Sequence, residues 1–180
     1  ALAPSHDGLT VLHHAAKDGN SDILRVALTV WGFKYGYHDS KLPVEKGVPT
    51  PGVYAIRESK DLKAVQEVLP TLLPHEPCPA HLAIEAIKRG SLDLLECIIT
   101  QGAVDVNEKI RTPEGKETTL MLEALGAGKY NLVKFLINYY DATVEGLTGS
   151  SALVCGILGG CFQGRRAVQH LRHVAGSGGM

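Results

Sequence analysis

The sequence predicts an all-α fold, a solenoid of stacked antiparallel helix pairs with projecting turns or short hairpins, on three observations. Residues 7–24 read as a turn, a short Ala-rich helix, a Gly stop and a second, apolar helix. Such a unit is too small to bury its own apolar face, so it has to recur along the chain. Recurrence is visible: the apolar residues that open successive units, Leu12, Val53, Ala80, Leu120 and Leu153, lie 41, 27, 40 and 33 residues apart. The uneven spacing marks loops inserted into a regular array.

The residue types in the first unit have physical reasons. Gly8 suits a turn that needs φ > 0, and Thr10 is placed to cap the helix, its hydroxyl accepting from an otherwise unpaired amide of the first turn. Ala15 and Ala16 favour helix and let neighbouring helices approach closely. Gly19 ends the first helix without a Cβ penalty. In the second helix Ile23, Leu24, Ala27 and Leu28 fall on one face. The run from Gly8 through Thr10-Val11-Leu12-His13-His14-Ala15-Ala16 to Gly19 resembles the ankyrin repeat, whose pattern is G-x-T-P-L-H-x-A-A-x-x-G followed by an apolar helix. Val11 stands where that family has Pro.

The resemblance implies one domain over residues 1–175, with repeats at about 6–33, 50–73, 77–107, 115–144 and 148–174, an insertion at 34–50 and a flexible tail at 176–180. In the second repeat Val53 takes the Leu position and Tyr54 the His position, and Lys60 replaces the stop glycine. The third runs from Cys78-Pro79-Ala80-His81 to Gly90, so its first helix is about one turn longer, and it closes with Gly102–Asn107. A hairpin-like extension, residues 108–116, contains the turn signal Thr112-Pro113-Glu114-Gly115. In the fourth repeat Leu120 takes the Leu position and Met121 replaces His, and a fifth opens at Gly149 and closes near Leu171. From Gly32 to Gly52 glycine, proline and aromatic residues follow one another without a helical period.

Composition narrows the function. With 180 residues, 44% hydrophobic and 21% charged content, the chain is an ordinary globular one. A formal net charge of −1 gives no basic excess of the kind nucleic-acid binding requires. Cys78, Cys97, Cys155 and Cys161 show no Cys-x-x-Cys spacing and are too sparse for a disulfide scaffold, which favours a reducing, cytoplasmic location and buried thiols. No apolar run reaches the ~20 residues of a membrane helix. His13 and His14 point to different faces of a helix and cannot chelate together, whereas His170 and His173 share one and are read as a solvated helix end. Gly156, Gly159, Gly160 and Gly164 lack the Gly-Lys-Ser/Thr ending of a phosphate loop. The acidic residues are spread one or two per helix along amphipathic helices, without a paired motif that names a hydrolase. The chain is therefore expected to carry no catalytic residues, no cofactor and no metal.

By resemblance the protein is a scaffold or adaptor that binds a partner protein through its concave face. His13 and His81 would brace the turns between repeats. The family's variable positions map onto Leu9, Val11, His14, Lys17 and Asp18 in the first repeat and onto Ala55, Glu58 and Ser59 in the second. In the third they are Leu82, Lys88 and Arg89, and in the fourth Leu122 and Leu125. The insertion adds Tyr35 and Tyr37 as aromatic contacts, with Trp31 expected in the core. Two alternatives stand beside this one: the regulatory segment of a larger enzyme or channel, and a microbial effector delivered into host cytosol.

Overall fold

Capped helix starts organise the described residues. The computed structural model describes residues 5–35, 42, 47–112, 115 and 117–142. All of these belong to one compact unit, Ala1–Thr143; the second unit, Val144–Met180, lies outside the described residues, and with it the stretches expected to form a fifth repeat and a tail. The helices come in pairs: α1 (Val11–Lys17) with α2 (Ser21–Tyr35), α3 (Pro51–Glu58) with α4 (Leu62–Leu72), α5 (Pro79–Arg89) with α6 (Leu92–Thr100), and α7 (Leu120–Gly126) with α8 (Tyr130–Tyr140). The described residues are thus predominantly α-helical.

Capping explains where the helices begin. Thr10, Thr50, Cys78 and Thr119 stand at the N-caps of α1, α3, α5 and α7. The Thr50 hydroxyl accepts from Val53 N–H and the Thr119 hydroxyl from Leu122 N–H, each satisfying an amide that the first turn leaves unpaired. Asp61 does the same for α4 through Lys63 N–H and Ala64 N–H, and Ser91 for α6 through Leu94 N–H.

The pairs pack in two layers. First helices contact one another in sequence, α1 on α3, α3 on α5 and α5 on α7, while α2 packs on α4 and α4 on α6. Leu69, Leu72, Leu82, Ile87, Leu94, Leu95 and Ile98 are fully buried between the layers. Close approach depends on glycine at Gly19, where φ is +66° and a Cβ would strike the Ala64 side chain and come within 2.9 Å of its carbonyl. As expected, α5 is longer than α1, and the extension after α6 is a hairpin, β1 (Ile110–Arg111) antiparallel to β2 (Glu117–Thr118), with Ile110 opposite Thr118.

Three features differ from the sequence expectation. The helix α2 continues through Gly32 to Tyr35, because Leu24, Leu28 and Trp31 extend its buried face by further turns; the insertion therefore begins later. Ile23, expected on that face, is exposed. The caps also shift the register of the second and fourth units by one residue. Counted from Thr50 and Thr119, the second helical residue, buried as Leu12 is, is Gly52 or Met121, and the third, where His13 and His81 stand, is Val53 or Leu122. Tyr54 and Met121 thus do not occupy the histidine position. In the fourth unit Thr118-Thr119 offers two adjacent cap hydroxyls and the bond from Leu122 N–H selects Thr119, whereas in the second unit Thr50 supplies the cap hydroxyl, one residue ahead of the Pro51 that alignment on Val53 requires.

Candidate binding face

The first helices and the turns ahead of them form a continuous row, and two histidines tie it together. His13 is buried; its Nδ1 accepts from Thr10 N–H at 3.0 Å and lies 2.9 Å from the Thr10 hydroxyl. Its Nε2 donates to the Pro49 carbonyl at 2.9 Å, across to the turn of the next pair. A carbonyl only accepts, so the ring carries its proton on Nε2 and leaves Nδ1 as the acceptor. His81, the third residue of α5, repeats the arrangement: its Nε2 donates to the Arg111 carbonyl at 3.0 Å, in the hairpin ahead of α7. Both imidazoles brace consecutive turns, as the resemblance implied.

Between the second and third pairs, where Val53 cannot bridge, charge takes over. Glu76 is fully buried, and its Oε1 accepts from Gly52 N–H at 2.8 Å, pairing an amide of the first turn of α3. Gly52 is required there, since a Cβ would strike Glu76 Oε1 and approach Leu82 Cδ2 to 2.8 Å. Glu85, also buried, accepts from Arg57 at 2.8 Å and from Lys88 at 3.0 Å. Burial pushes the Glu85 carboxyl up, but the hydrogen bonds from Arg57 and Lys88 outweigh it and hold the group below the ordinary carboxylate value. Arg89 completes the joint by donating to the Arg57 and Ser59 carbonyls, the open carbonyl end of α3.

The residues singled out from sequence divide between surface and interior. His14, Asp18, Glu58, Lys88 and Arg89 are exposed, Val11 slightly so, and Leu9, Lys17, Leu122 and Leu125 are half-buried. Three are corrected: Ala55, Ser59 and Leu82 are buried and offer no contact surface. Ala55 turns inward with the register of α3, Leu82 fills the space that Gly52 leaves, and the Ser59 hydroxyl is held by the Asp61 backbone at 3.1 Å. The Tyr35 side chain and all of Tyr37 lie outside the described residues, whereas Trp31 is buried. Sequence reasoning missed Tyr54 and Arg57. Tyr54 is half-exposed and meets His13 and His14 edge-on, at centroid distances of 5.7 and 6.3 Å. Alignment on the Thr50-Pro51 cap would have placed it next to the bridging position, facing outward.

Cys78 and Cys97 are free thiols, half-buried where full burial was expected; Cys155, Cys161, His170 and His173 lie outside the described residues. A hydrogen bond with His81 draws the Cys78 thiol below its ordinary value against the effect of burial, and burial raises that of Cys97. Among the described residues no three His, Cys, Asp or Glu side chains converge as a metal site, and no helix is long and apolar enough to cross a membrane. An open recess of about 320 Å³, lined by Pro70, Leu73, Pro74, Pro79, Gln101, Gly102 and Ala103, carries no titratable side chain. Compared with protein-family models, with curated proteins and with solved structures, the chain matches none.

Proposed function

We propose that the chain is a divergent ankyrin-repeat solenoid acting as a protein-binding module, through the face formed by its first helices and turns. The observation that carries this reading is the recurrent imidazole bridge, His13 to Pro49 and His81 to Arg111, each at the same position after a helix cap. A bridge of that kind holds neighbouring turns in a fixed register, so side chains projecting from different repeats form one preorganised surface, which lowers the entropy lost on binding. That surface carries His14 and Tyr54 side by side, followed by Glu58, Lys88 and Arg89. A half-exposed tyrosine flanked by polar groups is the composition of an interface anchor. The protein works by binding rather than catalysis, and its sparse cysteines support a cytoplasmic place of action.

The test is affinity capture with the intact chain from a lysate of its source, read by quantitative mass spectrometry against two variant sets. His14→Glu with Tyr54→Ala should lose the specific partner while the circular dichroism spectrum stays unchanged. Glu67→Lys with Lys134→Glu, on exposed positions of α4 and α8, should retain it. The same partners captured by both sets, or loss only with the second, refutes the assignment of the face.

A further inference from the structure

The side of α1 and α2 that α3 and α4 leave uncovered is apolar. Val11 is 38% exposed, and on α2 Ile23, Val26 and Val30 are 46%, 64% and 40% exposed. Helical spacing puts the three α2 residues on one stripe, beside the buried stripe of Leu24, Ala27, Leu28 and Trp31. A little over half of this helix's circumference is therefore apolar, more than one neighbouring layer needs.

Counting from the caps identifies this side. Ile23 is the third residue after Asn20, whose Oδ1 accepts the Ile23 N–H at 3.0 Å. The same position in the next three second helices is Ala64, Leu94 and Leu132, counted from Asp61, Ser91 and Lys129. Leu94 and Leu132 are 0% exposed, and Ala64 sits against Gly19 of the preceding pair. The first residue after the cap of each first helix behaves alike: Pro51 and Leu120 are buried and Pro79 is half-buried, while Val11 is exposed. Wherever a pair precedes, these positions are buried or half-buried. In the first pair they keep the apolar character of an interior unit, although an end unit of a stacked array needs a polar outer face.

We infer that this side is a pair-to-pair interface whose occupant is a further two-helix unit of the same build as the chain's own pairs. The main pair-to-pair contacts in the described residues all join units consecutive in sequence, so the uncovered face continues an interface that the chain builds repeatedly with itself. The inference stands on this stacking and is independent of what the first-helix face binds.

A copy of the chain's own interior unit, residues 77–107, placed ahead of Ala1 of the full 180-residue chain, supplies the probe. The extended chain should melt in one transition at a higher midpoint than the plain chain. Ile23→Lys should lower the midpoint of the extended chain by several degrees and leave the plain chain within about one degree, following the usual few degrees per kcal/mol for a domain of this size. Alkylation of an Ile23→Cys variant, followed at that site by peptide mapping, should slow at least about tenfold on extension. Equal labelling and equal Ile23→Lys effects in the two chains overturn the inference. So does an extended chain that fails to fold or melts as two independent parts. Self-association of the plain chain that Ile23→Lys abolishes overturns it as well, by assigning the face to a second copy.

Discussion

His13→Ala measures how much one imidazole bridge contributes to the stack. The substitution removes the acceptor for Thr10 N–H and the donor for the Pro49 carbonyl, two hydrogen bonds of 3.0 and 2.9 Å made by a buried ring. Each is worth about 0.5–1.5 kcal/mol net. The edge-on contact with Tyr54 adds about 0.5–1.5 kcal/mol. The loss is therefore about 2–4 kcal/mol. With a urea slope of about 1–3 kcal/mol per molar, the midpoint followed by far-UV circular dichroism should fall by roughly 1–2 M. His81→Ala is the control: its bond to the Arg111 carbonyl is in an exposed setting, so about 0.5–1.5 kcal/mol is expected. The two bridges lie in interfaces that share no residue, so the double variant should be close to additive. A loss under about 0.5 kcal/mol for His13→Ala, or equal losses at the two sites, would refute the argument that burial makes the first bridge the stronger one.

Three further outcomes follow from the same geometry. Gly52→Ala, which in an ordinary helix would stabilise, should destabilise by about 1–3 kcal/mol in chemical denaturation, because the added Cβ displaces the buried Glu76 carboxylate and Leu82; a stabilised variant contradicts the close approach. Glu85→Gln should cost about 1.5–3 kcal/mol near neutral pH through loss of the charge-assisted bonds from Arg57 and Lys88. Because the folded Glu85 carboxyl lies below its unfolded value of about 4.3, its contribution is fully present above that value and is lost as pH falls through the lower folded one. The stability gap between wild type and Glu85→Gln should thus be flat from neutral pH downwards and close only in acid; a gap closing near pH 6 counts against it. Alkylation near neutral pH should modify Cys78 faster than Cys97, since the His81 hydrogen bond favours the Cys78 thiolate and burial disfavours that of Cys97; His81→Ala should remove most of the difference, as read by mass spectrometry.

Local chemistry makes the helix pairs legible in the sequence. Thr10, the Ala15-Ala16 pair and Gly19 act within one turn of where they stand, so cap, close packing and stop could be read directly from residue type, and the longer α5 follows from the distance between Pro79 and Gly90. His13 and His81 were legible as braces through the motif around them, although their carbonyl partners were not, because Pro49 and Arg111 lie 36 and 30 residues away and nothing local encodes that meeting. The register of α7 was decided by which of two adjacent threonines accepts a helix amide, a choice that Thr118-Thr119 leaves open, whereas ahead of α3 Thr50 is the one residue of Pro49-Thr50-Pro51 with a capping hydroxyl. Tertiary packing put Ala55, Ser59 and Leu82 inside: Ala and Ser are small enough for either setting, and the apolar Leu82 packs into the space left by the missing side chain of Gly52. The Glu76 and Glu85 carboxylates are the clearest case. Read along the chain they are two solvated charges on polar faces, and only the approach of α3 to α5 turns them into buried acceptors for the amide and guanidinium groups of a segment more than twenty residues earlier.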